Sequence, residues 1–94
     1  MATRDDWLDV YEKVYDAIPR DIHLACPHCG HRTLRIVFTG DLDRDVGYGA
    51  FWCDTCLLGI SISRAIIPDG AIVRDIHLPR DERRPSIPNF TLVS

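Results

Sequence analysis

The sequence predicts a small α+β fold, an N-terminal helix packed on a three- to four-stranded antiparallel sheet. Three observations carry this reading. Apolar residues recur at helical spacing over residues 3–18, and short alternating runs separated by glycine- and proline-containing turns follow. The four cysteines fall into two C-x-x-C pairs, one before and one after the first predicted hairpin, so the sheet is expected to be metal-stabilised.

The helix is the clearest element. Trp7, Val10, Tyr11, Val14, Tyr15 and Ile18 form one stripe at i, i+3, i+4 spacing. Thr3 suits the N-cap, Asp5 and Asp6 suit the positive end of the helix dipole, and Pro19 is expected to stop the helix. A first strand is expected over 33–39, where Leu34, Ile36 and Phe38 alternate with Arg35 and Val37 around one buried face. Gly40 then opens a polar turn, Asp41-Leu42-Asp43-Arg44-Asp45, closed by Gly47 and Gly49. A second strand over 50–53 delivers the second cysteine pair. A third follows, with Leu58, Ile60 and Ile62 alternating with Gly59, Ser61 and Ser63. Pro68-Asp69-Gly70 reads as a turn, and Ile72, Arg74, Ile76 and Leu78 as a fourth strand or an extended edge. Residues 79–88 are rich in proline and charge and read as a loose linker, ahead of an end that carries Phe90, Leu92 and Val93. One domain over 1–94 is therefore expected: a helix over 1–20, a metal-binding sheet over 21–78 and a flexible or loosely docked tail over 79–94.

A chain of 94 residues buries a modest fraction of its unfolded surface, so a metal would add stability that the core alone lacks. Charged residues at 27% and apolar residues at 46% are globular values and argue against disorder. There is no apolar run long enough to span a bilayer. Residues 1–6 are polar and lead into an amphipathic segment, unlike a secretory leader, so a cytoplasmic location is expected. In that compartment thiols stay reduced, and paired cysteines point to metal ahead of disulfides.

Cys26-Pro27-His28-Cys29-Gly30 and Cys53-Asp54-Thr55-Cys56 have the spacing of two metal knuckles. A two-residue gap lets both thiolates of a tight turn face one centre while backbone N–H groups reach the sulfurs. Gly30 supplies the permissive dihedral such a turn needs. The intervening stretch holds a strand, a turn and a return strand, which brings the second knuckle opposite the first. One zinc ion held by Cys26, Cys29, Cys53 and Cys56 is the expected cofactor. Iron in a rubredoxin-like electron carrier uses the same ligand set and stays open, because spacing does not select the metal. Four cysteine ligands leave no open coordination position, so a structural metal and no enzyme activity are expected.

The pattern CPHCG, a hairpin, then FWCDTC followed by LLGISIS resembles a zinc ribbon over residues 26–67. GYGAFWCDTCLLGISISR is also similar to small bacterial zinc-ribbon proteins. The resemblance implies a three-stranded antiparallel sheet with two knuckles clamping zinc. It implies no reaction, since zinc ribbons serve in transcription, translation, enzyme accessory domains and scaffolding.

Other residues are read against simpler alternatives. His23, His28, His31 and His77 are expected in exposed loops. The acidic turn with Gly47 departs from a calcium loop, which needs glycine and glutamate where Val46 and Trp52 stand. Alternation puts Phe51 and Trp52 on opposite faces, one in the core and one partly exposed, or packed under the helix. An exposed Trp52 beside Arg32, Arg35 or Arg64 is a candidate surface for nucleic acid or another partner.

The formal net charge of −3, or roughly −5 once four thiolates hold zinc, disfavours general affinity for nucleic acid. The leading expectation is a protein-interaction or accessory module that binds a protein partner or self-associates through its N-terminal helix. A nucleic-acid-associated ribbon resting on Arg32, Arg35, Arg64 and Arg74 is the alternative.

Overall fold

The computed structural model describes residues 3–18, 20, 22–41 and 43–93. Pro19 as the helix stop, Leu42 in the acidic turn and Ser94 at the end of the tail lie outside the described residues. The described residues form one α-helix, α1 (Arg4–Ala17), and five strands: β1 (Leu34–Asp41), β2 (Val46–Cys53), β3 (Leu58–Ile66), β4 (Val73–Asp75) and β5 (Thr91–Leu92). The strands make one sheet in the order β4-β1-β2-β3-β5. No helix among them is long and apolar enough to cross a membrane.

Thr3 caps α1 as its sequence position predicts. The Asp6 amide donates to the Thr3 hydroxyl, and the Thr3 amide donates to the Asp6 carboxylate at 2.9 Å. The apolar stripe is spent on the sheet. Trp7 and Val14 are buried, and Val10, Tyr11, Tyr15 and Ile18 pack against the same core. Trp7 meets Phe51 edge-on at 5.6 Å between ring centroids, and Tyr15 meets Phe38 in the same manner at 6.3 Å. The Tyr15 hydroxyl donates to the Ile66 carbonyl at 2.6 Å and ties the helix to β3. Burial, and then the neighbouring Tyr15, push the Tyr11 phenol up to about 12.

The central hairpin is antiparallel, with Leu34 opposite Cys53 and Ile36 opposite Phe51. Gly49 faces Phe38, and a Cβ there would stand 3.2 Å from the ring, so glycine makes the room that the aromatic needs. β2 and β3 are also antiparallel, with a register shift beside Arg64, which adopts φ +55°.

The sheet departs from the expected antiparallel one at both edges. β4 runs parallel to β1, and β5 runs parallel to β3. The reason is the path between β3 and β4. Instead of doubling back on β3, the chain passes the hairpin tip, where the Ile67 amide donates to the Asp45 carbonyl at 2.7 Å. It buries Ile67 in the core and reaches the far edge of β1. There the Phe38 amide donates to Ile72 and the Ile76 amide to Gly40.

The strands β1, β2 and β3 run longer than their expected spans, and the expected fourth strand is confined to Val73–Asp75, in its first half. The expectation that β1 buries one face is also corrected. Val37 and Thr39 are buried as completely as Leu34 and Phe38. A second cluster, Val37, Ala50 and Trp52, lies on the face away from α1 and is covered by Ile87 and Phe90. The C-terminal segment, with a short 3-10 turn at Arg80–Glu82, therefore covers this face before β5 joins the edge of β3.

Phe90 stacks on Trp52 with ring centroids 5.7 Å apart and planes 11° from parallel. Phe90→Ala is expected to cost about 2 kcal/mol, less than a fully buried phenylalanine would because Phe90 is half-buried. It should also shift tryptophan emission to the red, and unchanged emission and denaturation midpoint would contradict the packing of the tail on Trp52.

Candidate metal centre

The two C-x-x-C turns are built alike. In the first, the Gly30 amide donates to the Cys26 carbonyl at 3.0 Å; in the second, the Leu57 amide donates to the Cys53 carbonyl at 2.9 Å. The residue after each pair turns left-handed, Gly30 at φ +80° and Leu57 at φ +53°. Glycine meets this demand at no steric cost, whereas leucine meets it under local strain. The His28 and Cys29 amides both donate to the Cys26 sulfur at 3.4 Å, as sequence spacing predicts for a knuckle.

The four sulfurs converge. Cys26 Sγ lies 3.7 Å from Cys56 Sγ and Cys29 Sγ lies 3.6 Å from Cys53 Sγ, with all four inside 4.8 Å of one another. These separations are far beyond a disulfide bond. A tetrahedral metal–thiolate centre with bonds of about 2.3 Å spaces its sulfurs about 3.8 Å apart. The donor set therefore fits a single metal ion, and the four cysteines can hold one. None of the four histidines belongs to the cluster: His23, His28 and His31 are exposed, and His77 approaches Asp41 at 3.5 Å.

The environment differs from sulfur to sulfur. Burial alone would raise the Cys53 thiol, but donation from the Thr33 hydroxyl and from the Cys56 and Thr55 amides outweighs it and brings the thiol down to about 6. Burial pushes Cys56 up to about 12, only partly offset by the Leu58 amide, and burial likewise raises Cys26. A metal bound here would displace the protons that remain on the thiols.

Three contributors to the site escaped the sequence reading. Thr33 sits 3.2 Å from Cys53 Sγ, and its hydroxyl also contacts Thr55 at 2.6 Å. Its carbonyl accepts from the Asp54 amide, which ties the first knuckle's exit to the second knuckle. Asp54 in turn accepts from the Trp52 indole at 2.8 Å and pairs with Arg35 at 3.0 Å. The signal was the register. Once Leu34 is placed opposite Cys53, Thr33 falls beside the second knuckle.

The structure brings two of the four candidate contact residues together. Arg35 and Trp52 are cross-strand partners that share Asp54. Trp52 is only 3% exposed and lies under Phe90, in neither the exposed position nor the place beneath the helix that the sequence suggested. Arg32 is exposed on the approach to β1, and Arg64 is exposed at the β3 irregularity. No family model, curated protein or solved structure matches the chain. What can be said of the centre therefore comes from its own geometry.

Thr33→Val keeps the β-branched shape and removes the hydroxyl. It should lower metal affinity about tenfold in a competitive chelator titration, the usual scale for a partner that supports a ligand. An unchanged affinity would show that the Thr33–Cys53 contact does not tune the site.

Proposed function

We propose that this chain is a structural-zinc protein, built on a zinc-ribbon-like core, that acts by contact with a protein partner and performs no catalysis. The convergence of four cysteine sulfurs carries the reading, because a full set of thiolates leaves no position at which a substrate or water would be activated. Zinc is the metal of the proposal. It takes four thiolates in a closed tetrahedral site, and the sulfur separations of 3.6 and 3.7 Å suit that geometry.

In this reading the contact surface lies beside the α1 stripe. Trp7 and Val14 of the α1 stripe are buried against the sheet and its other members are partly so, and self-association through the whole stripe would compete with the core. Exposed apolar surface lies beside it. Val46 and Ile66 are opposed across β2 and β3, and Ile66 is 68% exposed. Next to them a groove between α1 and β3 is lined by Tyr11, Tyr15 and Ile62 and rimmed by Glu12 and Asp16. This surface suits a partner segment with an apolar anchor and basic flanks. The nucleic-acid alternative has less support: Trp52 is covered by Phe90, and Asp54 neutralises Arg35.

Elemental analysis of the purified protein is expected to give one equivalent of zinc, and a coloured iron form would move the reading to electron transfer. In pull-downs, the expected partners survive nuclease treatment and are lost with Ile66→Asp. Partners that vanish with nuclease, or that ignore the substitution, would contradict the proposed contact.

A further inference from the structure

The face of the sheet away from α1 carries a second feature, independent of the metal. An open groove of about 610 Å³ is lined by residues of β2, β3, β4 and the segment leading to β5. Four arginines line it: Arg74 from β4, then Arg80, Arg83 and Arg84 from the 3-10 turn and its exit. Asp81 is the one acidic residue among the lining groups. The groove thus has a formal excess of positive charge on a chain whose net charge is −3. A confined basic groove on an acidic protein concentrates anions locally, whereas a general polyanion-binding surface would be basic more broadly.

The arginines are not neutralised internally. Among the described residues, the ion pairs involve Arg35, Arg44 and His77, and no carboxylate lies within pairing distance of the four groove arginines. Arg83 donates to the carbonyls of Ile76 and Leu78 and so fixes the wall of the groove. Arg84 donates to the carbonyls of Asp81 and Arg83. Both keep their full charge.

Buried polar atoms supply a second observation. Arg74 Nε is buried without a hydrogen-bond partner among the described residues, and so is the hydroxyl of Thr39, which is 1% exposed. These two residues are register partners across β1 and β4, and Thr39 is also opposite Tyr48, which lines the groove. Orphaned polar atoms inside a fold are uncommon and call for a partner. Arg74 belongs to the groove lining and Thr39 lies behind it, so the unmet bonding capacity sits next to the basic groove.

We propose that this groove binds a small phosphate-bearing ligand of nucleotide size, held by Arg74, Arg80 and Arg84. Guanidinium forks match phosphate oxygens in pairs, and a multiply charged phosphate uses several of them where a single carboxylate would not. The volume is in the range of sites for small organic ligands, larger than inorganic phosphate requires. Tyr48, Ile87 and Pro88 give the remainder of the ligand an apolar and aromatic wall.

Metal-replete protein titrated with pyrophosphate, AMP and adenosine at low salt tests this. Saturable binding of pyrophosphate and AMP, with none of adenosine and with a shifted Arg74 Nε–H resonance, is the expected result. Arg80 makes no hydrogen bond in the described structure, so Arg80→Ala should keep the melting temperature while weakening binding about tenfold, the loss of one charged hydrogen bond. Asp81→Asn should tighten binding by removing the opposing charge. Absence of saturable binding to both phosphate probes, indifference to Arg80→Ala at unchanged melting temperature, or binding of single-stranded oligonucleotide alone would each overturn the proposal.

Discussion

The convergence of four sulfurs is the constraint on which the rest of the structure depends. Cys26 and Cys29 lie just ahead of β1, and Cys53 and Cys56 form the turn between β2 and β3. Joining them fixes where β1 enters against the end of β2, with Leu34 opposite Cys53. A slip of one residue would exchange the two faces of every side chain that follows. Backbone and hydroxyl bonds at Thr33 reinforce the same register, and a cation held by the four sulfurs would lock it.

With the register set, β2 becomes the axis of the domain. Its adjacent aromatics have different covers: Phe51 faces Trp7 and Tyr11 of the helix, while Trp52 faces Phe90 of the C-terminal segment. A chain of this size has little interior, and covering both faces of one sheet makes fuller use of it than a helix alone would. The same arrangement decides which residues remain for function. It removes Trp52, Trp7 and Val14 from the surface and leaves the Val46–Ile66 corner, the outer edges of Tyr11 and Tyr15 and the arginine groove exposed.

Local physics made much of this legible in advance. The α1 stripe, its Thr3 cap, the knuckles and the alternation in β1 and β3 all follow from periodicities and turn chemistry within a few residues. The parallel edges were not legible in the same way. Alternation in residues 72–78 is the same whichever direction a strand pairs, and the choice was made by the passage past Asp45 and the burial of Ile67. The second buried face was hidden by distance along the chain. Val37 reads as the outward side of β1 and the place of Trp52 stays open, because Ile87 and Phe90, which cover both, lie far downstream. At the metal centre the ligands were plain from their spacing, whereas Thr33 and Asp54 act through cross-strand neighbours that only the register reveals.

Hydrogen exchange on the protein before and after metal removal by a strong chelator tests the dependence of the sheet on the four-sulfur centre most directly. The account predicts that amides of Ile36, Phe51 and Trp52 lose protection together when the metal leaves, along with the packing on both faces. Retention of that protection in metal-free protein, with only the knuckle amides at 26–30 and 53–57 exchanging faster, would contradict it and make the metal an accessory to a sheet that stands on its own.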